Sequence, residues 1–278
     1  MADTQRQKAL AFQALHQRDE LLVLPNPWDA GSAKLLAALG FQALASTSAG
    51  LAFTLGRPDG EGLINREETL ANARTLVEAT PLPVAADLEN GFADAPEGCA
   101  ETIVRAAACG LVGGSIEDAS GRPDAPIYPL ELAVERIRAS VSAARDQPSP
   151  FTLCARAENF LHGRADLPDT LRRLEAYAEA GADVLYAPGL TTRAQIDAVV
   201  RAVAPKPVNV LLGLSDCALS LDELADLGVR RVSVGSSLAR AAFGGFLRAA
   251  RDLRRGRADF ARDAAAFAEL NTLFKAGS

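Results

Sequence analysis

The chain has 278 residues, of which 49% are apolar and 23% charged, and a formal net charge of −6. That length suits one barrel of about 250 residues and supports a full core without staples. The acidic balance leaves no basic footprint for nucleic acid, no stretch reaches the roughly 18 apolar residues that span a bilayer, and Met1 to Glu20 is polar without a signal-peptide apolar core, so a cytoplasmic protein is expected.

Eight short β-prone runs recur in chain order: Leu21–Leu24, Ala43–Ser46, Val84–Ala86, Val112–Ile116, Phe151–Ala155, Val184–Tyr186, Val208–Leu211 and Val232–Val234. Helical patterns separate them. Leu130, Val134, Ile137 and Val141 share one helix face, as do Leu171, Leu174 and Ala178, and Ile196, Val199, Val200 and Val203. Glycines close four of the helices, at Leu39-Gly40, Cys109-Gly110, Ala180-Gly181 and Leu227-Gly228, where the left-handed cap conformation is free of steric cost. Alternating strands and helices predict a parallel sheet, and eight units predict a (β/α)₈ barrel in one domain over residues 1–278. An open doubly wound sheet is the alternative, weakened because no G-x-G-x-x-G follows the first strand. Cys99, Cys109, Cys154 and Cys217 form no C-x-x-C pair and read as isolated buried thiols. Beyond Arg257, Phe260, Phe267, Leu270 and Phe274 are read as one apolar helix face, which packs either on its own barrel or on a neighbouring subunit.

In such barrels the active site lies at the C-terminal ends of the strands. The acids there are Asp87 and Glu89 after the third strand and Glu117 after the fourth, with Asp59 in the loop following the second unit. Alternation along a strand predicts that Asp87 and Glu89 point the same way, and likewise Arg156 and Glu158. Converging carboxylates repel unless protons or a cation neutralise them, which points to a hard divalent ion with oxygen ligands, Mg²⁺ or Mn²⁺. The turn Thr47-Ser48-Ala49-Gly50 offers hydroxyls and backbone N–H groups to a carboxylate, or simply fills a strand-to-helix turn. Arg156 presents a planar fork to a carboxylate or enolate oxygen, or serves as a structural partner of Glu158 or Glu117.

Pro25-Asn26-Pro27-Trp28-Asp29-Ala30, "TSAG" followed by "LGRPDG", "ADLENGF", "GGSIEDA" and "ARAENF" occur in an order and spacing that, over almost the full length, resembles the isocitrate lyase and phosphoenolpyruvate mutase superfamily. The resemblance implies a barrel whose last helix, residues 257–278, is exchanged between subunits of a dimer or tetramer. It implies Mg²⁺ held by Asp87, with Asp59, Glu89 and Glu117 acting largely through water, and a small 2-oxo acid whose carboxylate sits near Thr47, Ser48, Ala49 and Gly50. Arg156, Asp59 and Glu117 become the candidate catalytic residues. Trp28 would lie at the site's entrance or floor, or act as a core indole.

Two departures bear on activity. Glu89 stands where family members usually carry a second aspartate. The stretch Glu117 to Pro126 lacks the lysine and cysteine of the cleaving lyases, and the lysine and asparagine of the carbon–phosphorus enzymes. The chemistry expected is therefore metal-stabilised enolate formation by a carbon–carbon lyase or decarboxylase, with decarboxylation of oxaloacetate favoured over isocitrate cleavage. A carbon–phosphorus enzyme and a non-catalytic 2-oxo acid binder are the alternatives. Glu158, Tyr186 and His162 are candidate proton carriers, Asn209 a candidate substrate contact at the end of the seventh strand, and Cys154 a thiol one layer below the expected metal site.

Overall fold

A computed structural model describes residues 2–213 and 217–276; the last two residues of the expected exchanged segment lie outside them. Eight parallel strands form the predicted (β/α)₈ barrel: β1 (Leu22–Leu24), β2 (Leu44–Ala45), β3 (Val84–Asp87), β4 (Gly113–Glu117), β5 (Thr152–Arg156), β6 (Val184–Tyr186), β7 (Val208–Leu211) and β8 (Arg231–Ser233). They pair in the order β1-β8-β7-β6-β5-β4-β3-β2. The seam between β1 and β2 is bridged by loop groups. Ala45 N–H donates to the Pro25 carbonyl at 3.1 Å. The Asn26 amide donates to the carbonyls of Ala45 and Ser46 and accepts from the N–H groups of Val234 and Gly235.

Eleven helices are described: α1 (Ala2–His16), α2 (Ala30–Ala38), α3 (Ser48–Thr54), α4 (Arg66–Ala79), α5 (Pro96–Ala108), α6 (Leu130–Arg145), α7 (Leu167–Glu179), α8 (Arg193–Val203), α9 (Leu221–Asp226), α10 (Ser237–Arg254) and α11 (Phe267–Ala276). The four glycines read as helix ends do adopt left-handed φ, between 86° and 103°. The predicted faces of α6, α7 and α8 turn Ile137, Leu174, Ile196 and Val199 into the core between helices and sheet. No described helix is long and apolar enough to cross a membrane.

Two elements differ from expectation. The polar opening segment folds as α1, because Ala9, Phe12 and Leu15 make a buried stripe that packs with Leu22, Leu24 and Val112. Gly113 opens β4 close to Phe12, whose ring would lie 3.0 Å from an added Cβ, so α1 closes the end of the barrel where the strands begin. The tail is not one helix. Phe260 lies in a short 3₁₀ turn, Asp259–Arg262, and Phe267 opens the separate α11, so the four apolar residues do not share a face. Phe267 is 86% exposed. Within the single chain α11 rests against α2.

Candidate active site

At the strand ends a cavity of about 160 Å³ is lined by Asp59, Asp87 and Arg156, while Glu89 and Glu117 lie beside them outside its lining. Asp87 ends β3, Glu117 ends β4 and Arg156 ends β5. Arg156 sits among three carboxylates: Nη1 is 2.9 Å from Asp87, Nη2 is 3.1 Å from Glu117, and Nε is 2.7 Å from Glu158. A guanidinium with every nitrogen committed orders its neighbours more than it reaches outward. Both readings of Arg156 therefore meet in one place: it lines the cavity, and it is the structural partner of Glu158 and Glu117.

Asp87 is the most highly coordinated acid. Its Oδ2 accepts from the Ser48 hydroxyl at 2.8 Å, its Oδ1 accepts from the Glu89 N–H at 3.3 Å, and its own N–H donates to the Ser46 hydroxyl. Burial works against its charge, but Arg156 and Ser48 outweigh burial and hold the carboxyl below its usual range. The other acids move the opposite way. Burial, then Asp87 and Asp59, push Glu89 up to about 8. Burial raises Asp59, with Asp87 adding to it. Burial also raises Glu117, and the nearby Glu158, Asp87 and Glu89 reinforce the shift against Arg156.

Glu89 does not follow from strand alternation. β3 ends at Asp87, and Glu89 takes a left-handed φ of 48°, with Phe92 at 57°. The bend is braced by the buried Arg136, whose guanidinium donates to the carbonyls of Asn90, Ala93 and Asp94 and lies 4.2 Å over the Tyr128 ring. Glu158 does face Arg156 as alternation predicts. Its backbone is anchored by Asp118, which accepts from Glu158 N–H at 2.8 Å, Tyr177 at 2.7 Å and Arg173 at 3.0 Å.

The small-residue turn is the start of α3. Thr47 caps it by accepting from Gly50 N–H at 3.2 Å, and Ser48 is turned to Asp87. Gly50 has a packing reason: an added Cβ would lie 2.6 Å from Thr47 Cγ2 and 3.0 Å from Trp28 Cβ. Trp28 thus backs this turn and is not among the cavity's lining, whereas Thr47, Ser48 and Ala49 are. Asn209 is the second residue of β7 rather than its end, and both poles of its amide are taken, by Ser233 at 2.9 Å and Arg231 at 2.9 Å. His162 is exposed in the turn after β5. The stretch from Ser120 to Pro126 closes on itself: Ser120 N–H donates to the Pro126 carbonyl at 2.9 Å, Ala119 bridges Ile127, and Arg122 pairs with Asp94 at 2.8 Å. None of these loop residues lines the cavity.

Among the described residues no three His, Cys, Asp or Glu side chains form a ready-made cation cage. The donor set nevertheless suits a hard divalent ion: oxygen donors only, one well-ordered carboxylate, and three more acids raised by burial first and by neighbouring carboxylates after it. An ion that keeps several waters needs only one or two carboxylates in direct contact. Sequence reasoning missed Ser46, Thr152 and Arg231. Stepping back two residues at a time from Arg156 reaches Cys154 and then Thr152, the available signal for one of them.

A TIM barrel with an acid cluster at the strand ends is a common enzyme architecture, and the comparisons narrow it. The chain belongs to the phosphoenolpyruvate phosphomutase family, whose profile matches residues 12–254. A solved lyase/mutase-class structure from Burkholderia cenocepacia J2315 is 59% identical, covers 98% of this chain and 97% of its own, and superposes with a TM-score of 0.95. The 2-methylisocitrate lyase of Salmonella typhimurium is 32% identical over 65% of this chain and 62% of its own length. The oxaloacetate decarboxylase of Rhodopseudomonas palustris is 29% identical over 82% of this chain and 78% of its own. The structure of a 2,3-dimethylmalate lyase described as a phosphoenolpyruvate mutase/isocitrate lyase superfamily member is 25% identical, covers 96% of this chain and 94% of its own, and superposes with a TM-score of 0.86, in line with the superfamily whose motifs the sequence resembles.

Proposed function

We propose that this chain, as a single domain over its full length, is a Mg²⁺-dependent carbon–carbon lyase or decarboxylase for a small 2-oxo or 2-hydroxy dicarboxylic acid, with Mn²⁺ an acceptable substitute. The observation that carries the reading is the gathering of Asp59, Asp87, Glu89 and Glu117 about Arg156 at the strand ends, where Asp59, Asp87 and Arg156 line one cavity. Asp87 would hold the ion directly, with Asp59, Glu89 and Glu117 acting through water. When bound, the ion supplies an electron sink at the substrate's 2-oxo group.

The chain's own residues do the rest. Thr47, Ser48 and Ala49 border the cavity where the substrate carboxylate would enter. Arg156 holds positive charge beside the position where an enolate oxygen develops, pre-set by three carboxylates so that little reorganisation is needed during reaction. In decarboxylation the bond beyond C3 breaks, its electron pair enters the enolate, carbon dioxide leaves, and C3 then takes a proton. Tyr186 faces the cavity and burial pushes its phenol up, which keeps the proton on oxygen and available to donate. His162 is exposed and does not itself line the cavity, which favours Tyr186 over it as the donor. The self-closed loop without lysine favours carbon–carbon over carbon–phosphorus chemistry.

The test is a panel of oxaloacetate, malate-type 2-hydroxy diacids, isocitrate, 2-methylisocitrate and phosphonopyruvate with Mg²⁺, using Asp87→Ala and Arg156→Ala as background controls. Turnover of a diacid that falls by at least about 10²-fold in both variants is expected. Rates equal to the controls across the diacids, or turnover of phosphonopyruvate alone, would overturn the reading. The exposed apolar face of α10 leads us to propose further that the protein works as a homo-oligomer, a dimer or tetramer, with the tail exchanged between subunits.

A further inference from the structure

One strand register runs round the barrel from the acid cluster to its floor. Glu117 pairs with Arg156, Arg156 with Tyr186, Tyr186 with Asn209, and Asn209 with Arg231. The first three residues end their strands, Asn209 is second on β7, and Arg231 is first on β8. The row therefore descends as it passes round, as the stagger of a closed barrel requires. Arg156, Tyr186, Asn209 and Arg231 all line the cavity.

The lower half of this row is joined by side-chain hydrogen bonds whose direction is fixed. Arginine has donors and no acceptor. Arg231 Nε lies 2.9 Å from Asn209 Oδ1, so that oxygen accepts, and the Asn209 Nδ2 group donates to Ser233 Oγ at 2.9 Å. Ser233 stands two residues along β8 from Arg231, on the same inward face and one layer nearer the mouth. Its oxygen is engaged by Asn209, and its own proton goes to the Tyr186 oxygen. Burial pushes the Tyr186 phenol up, while Arg156 and the hydrogen bond from Ser233 act in the other direction. A bond that favours the ionised phenol is one donated to its oxygen. Every link thus donates toward Tyr186, and Tyr186 keeps its own O–H for the cavity; among the described residues no acceptor is paired with that proton.

The polarity of the chain starts at Arg231. Buried Arg173 pairs with Asp118 and Asp169, and Arg156 pairs with three acids, but among the described residues Arg231 forms no ion pair. Its terminal nitrogens face the Cys154 sulfur at 2.9 Å and His16 Nε2 at 3.4 Å. Burial pushes the Cys154 thiol up, and burial together with Arg231 lowers His16 to about 4, so neither carries charge at physiological pH. A guanidinium without a counter-charge is a strong donor. The amide and hydroxyl that it polarises become better donors in turn, by about 10–30% per bond.

We propose that Arg231, Asn209 and Ser233 are positioning residues for Tyr186: they hold its oxygen as an acceptor and so aim its O–H at the reacting carbon. The proposal deepens the reading of Tyr186 as the proton donor and rests on it. When the bond beyond C3 breaks, its electron pair enters the enolate. C3 uses that pair to form a C–H bond with the Tyr186 proton, and the O–H electrons stay on the phenolate oxygen. That oxygen still accepts from Ser233, and the Arg156 guanidinium lies 5.1 Å over the ring, so the phenolate forms beside two groups that stabilise it. A proton from solvent restores the phenol before the next turnover.

Asn209→Asp tests the chain with little change of shape. The aspartate pairs with Arg231 and so keeps the fold, but it has no donor for Ser233, whose proton turns to the new carboxylate and away from Tyr186. With the diacid that wild type turns over with Mg²⁺, Asn209→Asp and Ser233→Ala are each expected to lower kcat at least about tenfold with KM within about twofold, and Tyr186→Phe to lower it about 10²–10⁴-fold. The double variant should lie within about twofold of the worse single one, since one cut breaks the chain. A readout without turnover is the ¹³Cζ resonance of Tyr186, assigned among the three tyrosines with Tyr186→Phe. Both single substitutions should move it, although Asn209 reaches the phenol only through Ser233. Wild-type kcat in Asn209→Asp, effects of the two substitutions that multiply, or an unmoved resonance would overturn the chain. Wild-type kcat in Tyr186→Phe, or a wild type inert toward every diacid, would overturn the reading of the site and the proposal with it; a slow Tyr186→Phe beside a fully active Asn209→Asp isolates a failure of the chain alone.

Discussion

His16 sits at the closed end of the barrel, with one ring nitrogen beside the Phe12 carbonyl and the other beside Arg231, and that position fixes how the fold responds to acid. In the unfolded chain it takes up a proton near pH 6.5; in the folded protein burial and Arg231 delay this to about 4. Between those values the unfolded state binds more protons, so stability falls as pH drops through this window and is unaffected by His16 above it. The contribution is up to about 3 kcal/mol. Urea unfolding of wild type and His16→Gln between pH 4 and 7.5 should show the variant with the shallower loss on the acid side. Parallel curves would mean that His16 protonates freely in the folded state. At this same scale the acid cluster illustrates why identity alone does not assign a role. Asp87 and Glu89 are two residues apart, yet Asp87 is held below the carboxylate range while burial, with Asp87 and Asp59, pushes Glu89 up to about 8; Arg156 acts to lower both, but only Asp87 also accepts from Ser48 and pairs directly with Arg156.

Among the elements, α10 is the one whose surface is least explained by the single chain. Only Ala239 of its eighteen residues is buried, while Phe246 is 67% exposed and Leu253 61%. A helix with so pronounced an apolar side buries it against something. Phe53 and Phe243 extend the same patch. α11 covers α2 instead, and the 3₁₀ turn packs against α10 itself. Removing the chain after Arg257 is expected to yield smaller species or aggregates by multi-angle light scattering, because the α2 face is uncovered and the exchange partner is lost. A truncated protein with the parent's mass and solubility would rule out the tail as the assembling element.

At the scale of the whole molecule, the barrel holds Asp59, Glu89 and Glu117 beside the charged Asp87 at the cost of burial and of mutual repulsion. Anything that binds only the folded arrangement and relieves that repulsion stabilises the whole chain. Saturating Mg²⁺ should raise the melting temperature by about 5 °C over protein held in chelator. An equal concentration of Na⁺ should not, and Asp87→Ala should abolish the shift. An Asp87→Ala protein that responds to Mg²⁺ like wild type would place the ion elsewhere.

Periodicity and punctuation in the sequence were enough for the architecture. The eight β-prone runs coincide with β1 to β8 to within a residue or two, and the glycines ending four helices take the left-handed conformation that made them legible. These are local properties: apolar spacing and the absence of a Cβ act within a few residues, so they can be read in a line of text. The same holds for Asp87, Glu117 and Arg156, which follow from being last on their strands. Depth inside the barrel is a different matter, because it depends on how each strand slides against its neighbour. Register puts Asn209 opposite Arg231 and Tyr186, below the strand ends, and commits its amide to neighbours. The left-handed turn at Glu89 depends on Arg136, more than forty residues away, bracing the loop from behind. Trp28 packs behind Gly50 only because β1 and β2 meet at the barrel seam. Arg231 looked like an ordinary charged residue at the start of a strand; only closure of the barrel turned it into a buried cation facing the cavity, since a charge becomes conspicuous when the chain around it has excluded both water and counter-charge.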